Sequence, residues 1–238
     1  MWVKKGSWIA LHVVVILAAV AVAFPILWMI SQSLMTEQDI HRWPPHFLPP
    51  RVTLANYWEI LFEAPDDLPV VRWLLNSVFV ASSSTALVII VSSMAAYGFA
   101  RLKFPFRDKL FYLILATMMV PSQTTVIPIY LFMRELKFID TYHALIWPAG
   151  ASVFPVFMLR QFFLSIPQEL EDAAYVDGCT KFGTFVRIIL PMAKSALITL
   201  VIFTFLQSWN DLFWPLIVLN RAEMRTLPVG LTVLIGQF

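Results

Sequence analysis

Residues Ile9–Ile30 run for 22 positions without an Asp, Glu, Lys or Arg. A helix needs about 20 such residues to cross the hydrocarbon core of a bilayer. Inside that core every backbone N–H and C=O must find its partner within the segment, so an uncharged run of this length is helical. The whole chain agrees with its first stretch: 59% of its 238 residues are hydrophobic, 13% are charged and the mean hydropathy is +0.75. Soluble domains sit near half apolar and a quarter charged. The composition therefore excludes a soluble enzyme, a disordered chain and a secreted disulfide scaffold. Cys179 is the single cysteine, which excludes a disulfide framework and any Cys-rich metal site. A net charge of +2 leaves no electrostatic footprint for nucleic acid.

Four further runs qualify as spans: Val78–Ala100, Leu110–Met133, Tyr142–Leu159 and Ser195–Asn220. The first of these is rich in Ser, Ala and Gly, which predicts a place inside a bundle rather than against lipid. Lys4 and Lys5 precede the Ile9–Ile30 run as in a signal peptide, but the run is too long for that role and no small-residue cleavage site follows. It reads as a retained span. Arg101–Lys109 carries four basic residues and one acid, so the positive-inside rule puts it in the cytoplasm, on the same side as Lys4 and Lys5. Loop 31–73 is then external and Arg160–Lys194 is a second cytoplasmic loop. The organisation expected is an N-terminal span with its external loop over 1–73, and a core transmembrane domain over 74–238 that includes a cytoplasmic loop at 164–192. Five spans leave the C-terminus outside, and the polar-to-apolar switch over Thr226–Phe238 leads us to expect a continuation beyond Phe238.

Several polar groups stand in apolar surroundings. Asp211 falls in the last run, beside Gln207, Ser208, Trp209 and Asn210. A lone carboxylate there costs a few kcal/mol and faces protein or water. Two readings stay open: a polar wall of a translocation route, or a helix-breaking cluster near the outer interface. Prolines 121, 128, 148, 155 and 215 predict kinks. The small pairs Ser82/Ala86 and Ser92/Ala96 read as ordinary helix-packing positions. His12, His41, His46 and His143 share no metal-ligand spacing, and no Ser or Cys occupies a nucleophile motif. Gly178 and Gly183 make half of a phosphate-binding loop, but Thr184 and Phe185 stand where Lys and Ser/Thr are required. Any ATP chemistry must come from a partner.

Loop 165–194 reads as two short helices. Ser165 and Gln168 have capping-box spacing around Pro167. Glu169, Glu171 and Asp172 lie where a helix N-terminus favours acids. Leu170, Ala173 and Ala174 form a small apolar face, and Gly178 ends the helix. Thr180 caps a second helix with a stripe of Phe182, Phe185, Val186 and Ile189, which Pro191 ends. Helices this short are marginal alone. Resting on lipid is one reading; a plug that fits the groove of a soluble partner is the other, and the small face favours it.

Asp172-Ala173-Ala174, Gly178 and Ile188-Ile189-Leu190-Pro191 resemble the E-A-A-x3-G-x9-I-x-L-P signature of permease subunits in binding-protein-dependent ABC importers. The resemblance extends to the maltose-type sugar permeases through Asn76-Ser77, Ala95-Ala96-Tyr97-Gly98-Phe99-Ala100-Arg101, Pro121, Ile127-Pro128, Ser208-Trp209-Asn210-Asp211, Trp214-Pro215 and Thr226-Leu227-Pro228-Val229-Gly230-Leu231. It implies an all-α polytopic bundle of the type I importer kind, here with five of six spans. The implied assembly holds a second homologous permease, two ATPase subunits carrying ATP and Mg, and an extracytoplasmic sugar-binding protein, all at a prokaryotic inner membrane. ATPase coupling falls to Asp172, Ala173, Ala174 and Gly178, with Glu169 and Glu171 as electrostatic support. Trp209, Asn210 and Asp211 are candidates for the translocation route. This chain would carry no catalytic, cofactor or metal residue. Asp172 departs from the signature's Glu by one methylene. A glycerol phosphoester or other polyol is the alternative cargo, and a membrane enzyme built on Asp211 and His143 the remote alternative.

Overall fold

The computed structural model describes residues 5–63 and 68–235; Lys4 and Phe238 lie outside the described residues. Contacts divide the chain into two units, 1–65 and 66–238. The first unit begins with α1 (Lys5–Ser33), which passes through Pro25 and continues three residues past the apolar run. Its apolar side chains from Leu11 to Ile30 are largely exposed, as lipid-facing residues are. A short helix, α2 (Glu37–Ile40), is capped by Thr36, and α3 (Ala55–Trp58) leads into a π turn over Glu59–Glu63. The connecting loop folds back on α1. Asn56 donates to the carbonyls of Ser33 and Met35 at 3.0 and 2.8 Å, and Phe47 stacks on Phe24 at 5.5 Å.

The second unit is built around α4 (Val70–Arg101), 32 residues without a break. Its buried positions recur at three- and four-residue steps: Trp73, Asn76/Ser77, Val80/Ala81, Ser84/Thr85, Val88, Ser92/Ser93, Ala96/Tyr97 and Ala100. Most of these are small, so neighbouring backbones approach closely. Ser92 and Ala96 pack as expected, whereas Ser82 and Ala86 are exposed and Ala81, Ser84 and Thr85 take the buried face instead.

The remaining spans are broken. The expected third run is two helices, α5 (Arg107–Thr117) and α6 (Ser122–Glu135), bent by 98° at Met118–Pro121. Pro121 cannot donate to the preceding turn, so the ladder stops there. The fourth is α7 (His143–Ala149) and α8 (Val153–Ser165). Beyond it come α9 (Glu169–Val176), α10 (Lys181–Thr184), a π turn over Phe185–Ile189, and α11 (Leu190–Met192). The last run is α12 (Lys194–Trp209) and α13 (Phe213–Val218), followed by α14 (Leu227–Ile235). Among the described residues two helices are long and apolar enough to cross a membrane alone, and the number reaches five if each bent pair is one span.

Side chains of α4 hold both ends of the unit together. Near Val70, Trp73 Nε1 donates to Ala222 O at 2.8 Å, and Asn76 donates to Glu223 O and Arg225 O at 2.9 and 2.8 Å. Ser77 Oγ accepts the Leu227 N–H at 2.8 Å. The irregular stretch before α14 thus finds its backbone partners about 150 residues away in sequence. Gly230 lies flat against the fully buried Trp73, where a Cβ would fall 2.0 Å from the ring. On the same side, Asp140 accepts from the N–H groups of Asn220 and Arg221 and pairs with Arg221 Nε at 2.7 Å. Near Arg101 the core is Tyr97, Leu159, Phe163, Phe185, Ile189 and Leu200.

Candidate functional site

Loop 164–192 leaves α8 through a bend of 77°. Pro167 disfavours the helical region for the residue before it, and Ile166 is extended at ψ 129°. The expected capping box does not form. Ser165 is still helical, and its hydroxyl donates to Phe162 O at 2.7 Å; Gln168 occupies the cap position of α9 without a side-chain bond.

The far end of α9 is as expected. Gly178 adopts φ +83°, its N–H donates to Tyr175 O at 3.0 Å, and the Cys179 N–H donates to Ala174 O at 2.9 Å. These two bonds make a Schellman closure, which needs a left-handed residue and favours glycine. Thr180 Oγ1 then accepts the Gly183 N–H at 3.1 Å and starts α10, as its position predicts.

The faces of α9 differ from the expected pattern. Glu171 and Ala174 point inward and are buried, while Leu170, Asp172, Ala173 and Val176 are exposed. Leu170, Ala173 and Ala174 therefore do not share one face: the inner row is Glu171/Ala174. The second helix divides likewise, with Phe185 and Ile189 buried and Phe182 and Val186 exposed. Glu171 is not a surface acid. Its carboxylate lies 2.7 Å from Arg101 Nε, with the two side chains 2% and 8% exposed. The N–H does not point along the contact, so the attraction is chiefly Coulombic. Arg101 also donates to Phe163 O and Ile166 O, carbonyls at the end of α8. Removing one partner of a buried pair costs about 3–5 kcal/mol, because the other charge is stranded. In sequence Arg101 reads as the end of a motif and as one of four basic residues in a loop, since nothing local ties it to a glutamate 70 positions on.

Asp211 falls in the non-helical link between α12 and α13, where its Oδ1 accepts the Trp214 N–H at 3.4 Å. It lines a cavity of about 310 Å³ with Ser84, Ser152, Thr204, Gln207 and Ser208. Asn210 opens on an adjoining cavity that shares Ser152, Thr204 and Gln207. Trp209 stacks on Phe205 at 5.8 Å instead. Ser84 Oγ is buried without a partner at the first cavity, and among the described residues no Lys, Arg or His lines either one. Among the described residues no three His, Cys, Asp or Glu side chains converge to hold a metal. His143 bonds to Trp147 at 3.2 Å and packs on Phe138.

A helical bundle of broken spans, with a short helix held outside it by a buried ion pair and a cavity of mixed polar and apolar lining within it, defines a polytopic membrane protein. Residues 70–236 match the family model described as binding-protein-dependent transport system inner membrane component. The chain belongs to that family. It is 37% identical over 217 residues to the sulfoquinovosyl glycerol transport system permease protein SmoH of Agrobacterium fabrum, covering 90% of this chain and 75% of that protein. It is 36% identical over 223 residues to the sn-glycerol-3-phosphate transport system permease protein UgpE of the same organism, covering 92% and 79%. It is 35% identical over 231 residues to the arabinooligosaccharides transport system permease protein AraQ of Bacillus subtilis, covering 97% and 82%. Among solved structures, a chain of a bacterial ABC transporter that imports the acidic polysaccharide alginate superposes with a TM-score of 0.87 at 22% identity, covering 100% of this chain and 84% of that one. The chain is an ABC importer permease, and its relatives are transport permeases rather than enzymes.

Proposed function

We propose that this permease works with a second homologous permease, two ATPase subunits carrying ATP and Mg, and an extracytoplasmic binding protein, and that it imports a neutral sugar or oligosaccharide. Its N-terminus and loop 164–192 lie in the cytoplasm. The observation that carries the coupling role is α9 itself: bent 77° from α8, closed at Gly178, and exposing Leu170, Asp172, Ala173 and Val176. That apolar, acid-edged face fits a cleft of an ATPase. Closure of the ATPase dimer moves α9 and rocks the spans between inward- and outward-facing states. Asp172, Ala173, Ala174 and Gly178 form the coupling element, with Glu169 at its N-terminal turn and Glu171 anchoring it from within.

The relatives reported above are named for transport of sulfoquinovosyl glycerol, sn-glycerol-3-phosphate and arabinooligosaccharides, the first two anionic and the last neutral. The cavity at Asp211 supports the neutral end of that range. Hydroxyls, an amide and a carboxylate suit a polyhydroxylated ligand, whereas a phosphate wants Arg or Lys, which this lining lacks. Asp211 and Asn210 form part of the translocation route, with Trp209 at its edge.

The test is uptake by the reconstituted complex, with ATP hydrolysis followed in parallel. Neutral oligosaccharide should enter, anionic analogues should not, and Ala173→Trp should abolish uptake while this subunit still inserts. Normal uptake with Trp at 173 would remove the coupling role from α9, and an Asp211→Asn variant with unchanged uptake would remove Asp211 from the route.

A further inference from the structure

α9 presents three acids in its first turn, and one of them faces away from the other two. Glu169 and Asp172 are exposed; Glu171 is 2% exposed. Its partner Arg101 stands at the last turn of α4, and the same guanidinium holds the Ile166 carbonyl and the Phe163 carbonyl, which also accepts the Ile166 N–H at 3.2 Å. One turn earlier, Tyr97 OH lies 3.5 Å from the other Glu171 oxygen and 3.2 Å from Lys181 O at the start of α10. One end of α4 therefore holds the end of α8, the inner face of α9 and the start of α10.

We propose that Arg101 is a positioning residue for transport: it locks α9 to α4, so that a displacement of α9 enters the bundle as movement of one rigid piece. This rests on the reading of α9 as the ATPase contact. Without the lock, α9 would be tethered by the three-residue link 166–168 on one side and the glycine closure on the other, and a push on its outer face would be absorbed at the link. With it, a buried charge contact, two carbonyl bonds and the Tyr97 hydroxyl bridge the bend. Pulling the pair apart leaves two charges stranded out of water, so the contact resists opening. α4 then carries the displacement toward its far end, because it runs 32 residues without a break.

The experiment uses the complete complex, this chain with its permease partner, ATPases and binding protein, in lipid nanodiscs. Spin labels are placed on Met94→Cys of α4 and Asp177→Cys at the C-terminal end of α9, both exposed and neither on the face assigned to the ATPase, with Cys179→Ser removing the native thiol. The lock predicts that their separation changes by no more than about 2 Å between nucleotide-free and ATP-trapped states, the size of a helix shift at an interface. A change of about 5 Å or more, a full helical turn, shows a hinge at 166–168 and overturns the proposal. In a second arm, Glu171→Gln should broaden the label distances and lower the sugar moved per ATP hydrolysed by about tenfold, within the range by which residues along a coupling route act. An unchanged ratio overturns the lock. If Glu171→Gln does not assemble, the distances in the unsubstituted pair decide alone. Failure of the underlying reading looks different: the unsubstituted complex hydrolyses ATP with no response to binding protein and sugar, and both proposals fall.

Discussion

Replacing Gly178 with alanine isolates what the closure of α9 is worth. The residue sits at φ +83°, a left-handed conformation, and a Cβ built there meets nothing within 4 Å. Crowding therefore adds nothing, and the cost is that of holding an L-residue in a left-handed conformation, about 1–2 kcal/mol. That penalty shifts the local opening equilibrium about 5- to 30-fold. The bonds that report it are the residue-178 N–H to Tyr175 O and the Cys179 N–H to Ala174 O. Hydrogen exchange with single-amide resolution should show these two amides accelerating by that factor in Gly178→Ala, while the amides of α4 keep their rates. Asparagine tolerates the left-handed region better than alanine, so Gly178→Asn should fall between wild type and Gly178→Ala. Proline fixes φ near −65° and has no N–H, so Gly178→Pro should open the closure entirely and abolish uptake. Exchange in Gly178→Ala as slow as in wild type, or faster exchange in Asn than in Ala, would refute the assignment of a strained closure. Normal uptake by Gly178→Pro would show that the closure is dispensable for coupling.

Gly230→Ala puts a methyl 2.0 Å from the Trp73 ring; overpacking of this kind costs about 3 kcal/mol, and the solubilised protein should melt several degrees lower. Asn76 serves two carbonyls and accepts from Tyr142 OH at 2.7 Å, so Asn76→Ala should cost about 3 kcal/mol by orphaning buried groups. Asn76→Asp should be worse, since a carboxylate would face those same carbonyls; a milder effect than Ala would contradict the contact. At Asp140, partial burial works against the carboxylate, but the Asn220 N–H and the Arg221 side chain and N–H outweigh it and hold its pKa below the usual value. Its stabilisation is therefore complete above the ordinary carboxylate pKa of about 4 and is lost as pH falls through the lower folded-state value. The melting difference between wild type and Asp140→Asn should be flat from about pH 7 to 5 and shrink below about 4.

What could be read from sequence was whatever has a local cause. An uncharged run of 22 residues has to be a helix, and Gly178 with Thr180 two positions on marks one helix ending and another beginning; α1 and the closure of α9 follow, and so does the break at Pro121, although Pro25, Pro128 and Pro148 are accommodated inside helices. The Ser165–Gln168 spacing misled because a capping box needs the chain to be leaving an extended segment, and Ser165 is still inside α8. The inward face of α9 is not legible from side-chain size, since Ala173 is exposed and Ala174 is buried. Glu171, the residue that looks most like a solvent acid, is the inward one, and only the arrival of Arg101 from 70 positions away turns it. The Asp140–Arg221 pair, 81 residues apart, was invisible for the same reason.

These long-range contacts are not scattered. Along α4, the side chains that bind distant backbone are Trp73, Asn76 and Ser77 at one end and Tyr97 and Arg101 at the other. Between them the buried face is Ala81, Ser84, Thr85, Val88 and Ser92, and the Ser84, Thr85 and Ser92 hydroxyls are buried with no partner. A stretch that packs by shape alone can tilt against α7 and α12 without breaking polar bonds, while Arg101 keeps α4 fixed to the end of α8. The ends of α4 cannot, because each displaced donor or acceptor would be buried unpaired, at about 1–3 kcal/mol apiece. The Asp211 cavity opens beside that middle stretch, at Ser84 and Val88. An alternating-access cycle in which the two clamped ends of α4 stay attached to their partners, while the smooth middle changes its neighbours, would open and close the cavity at the least polar cost.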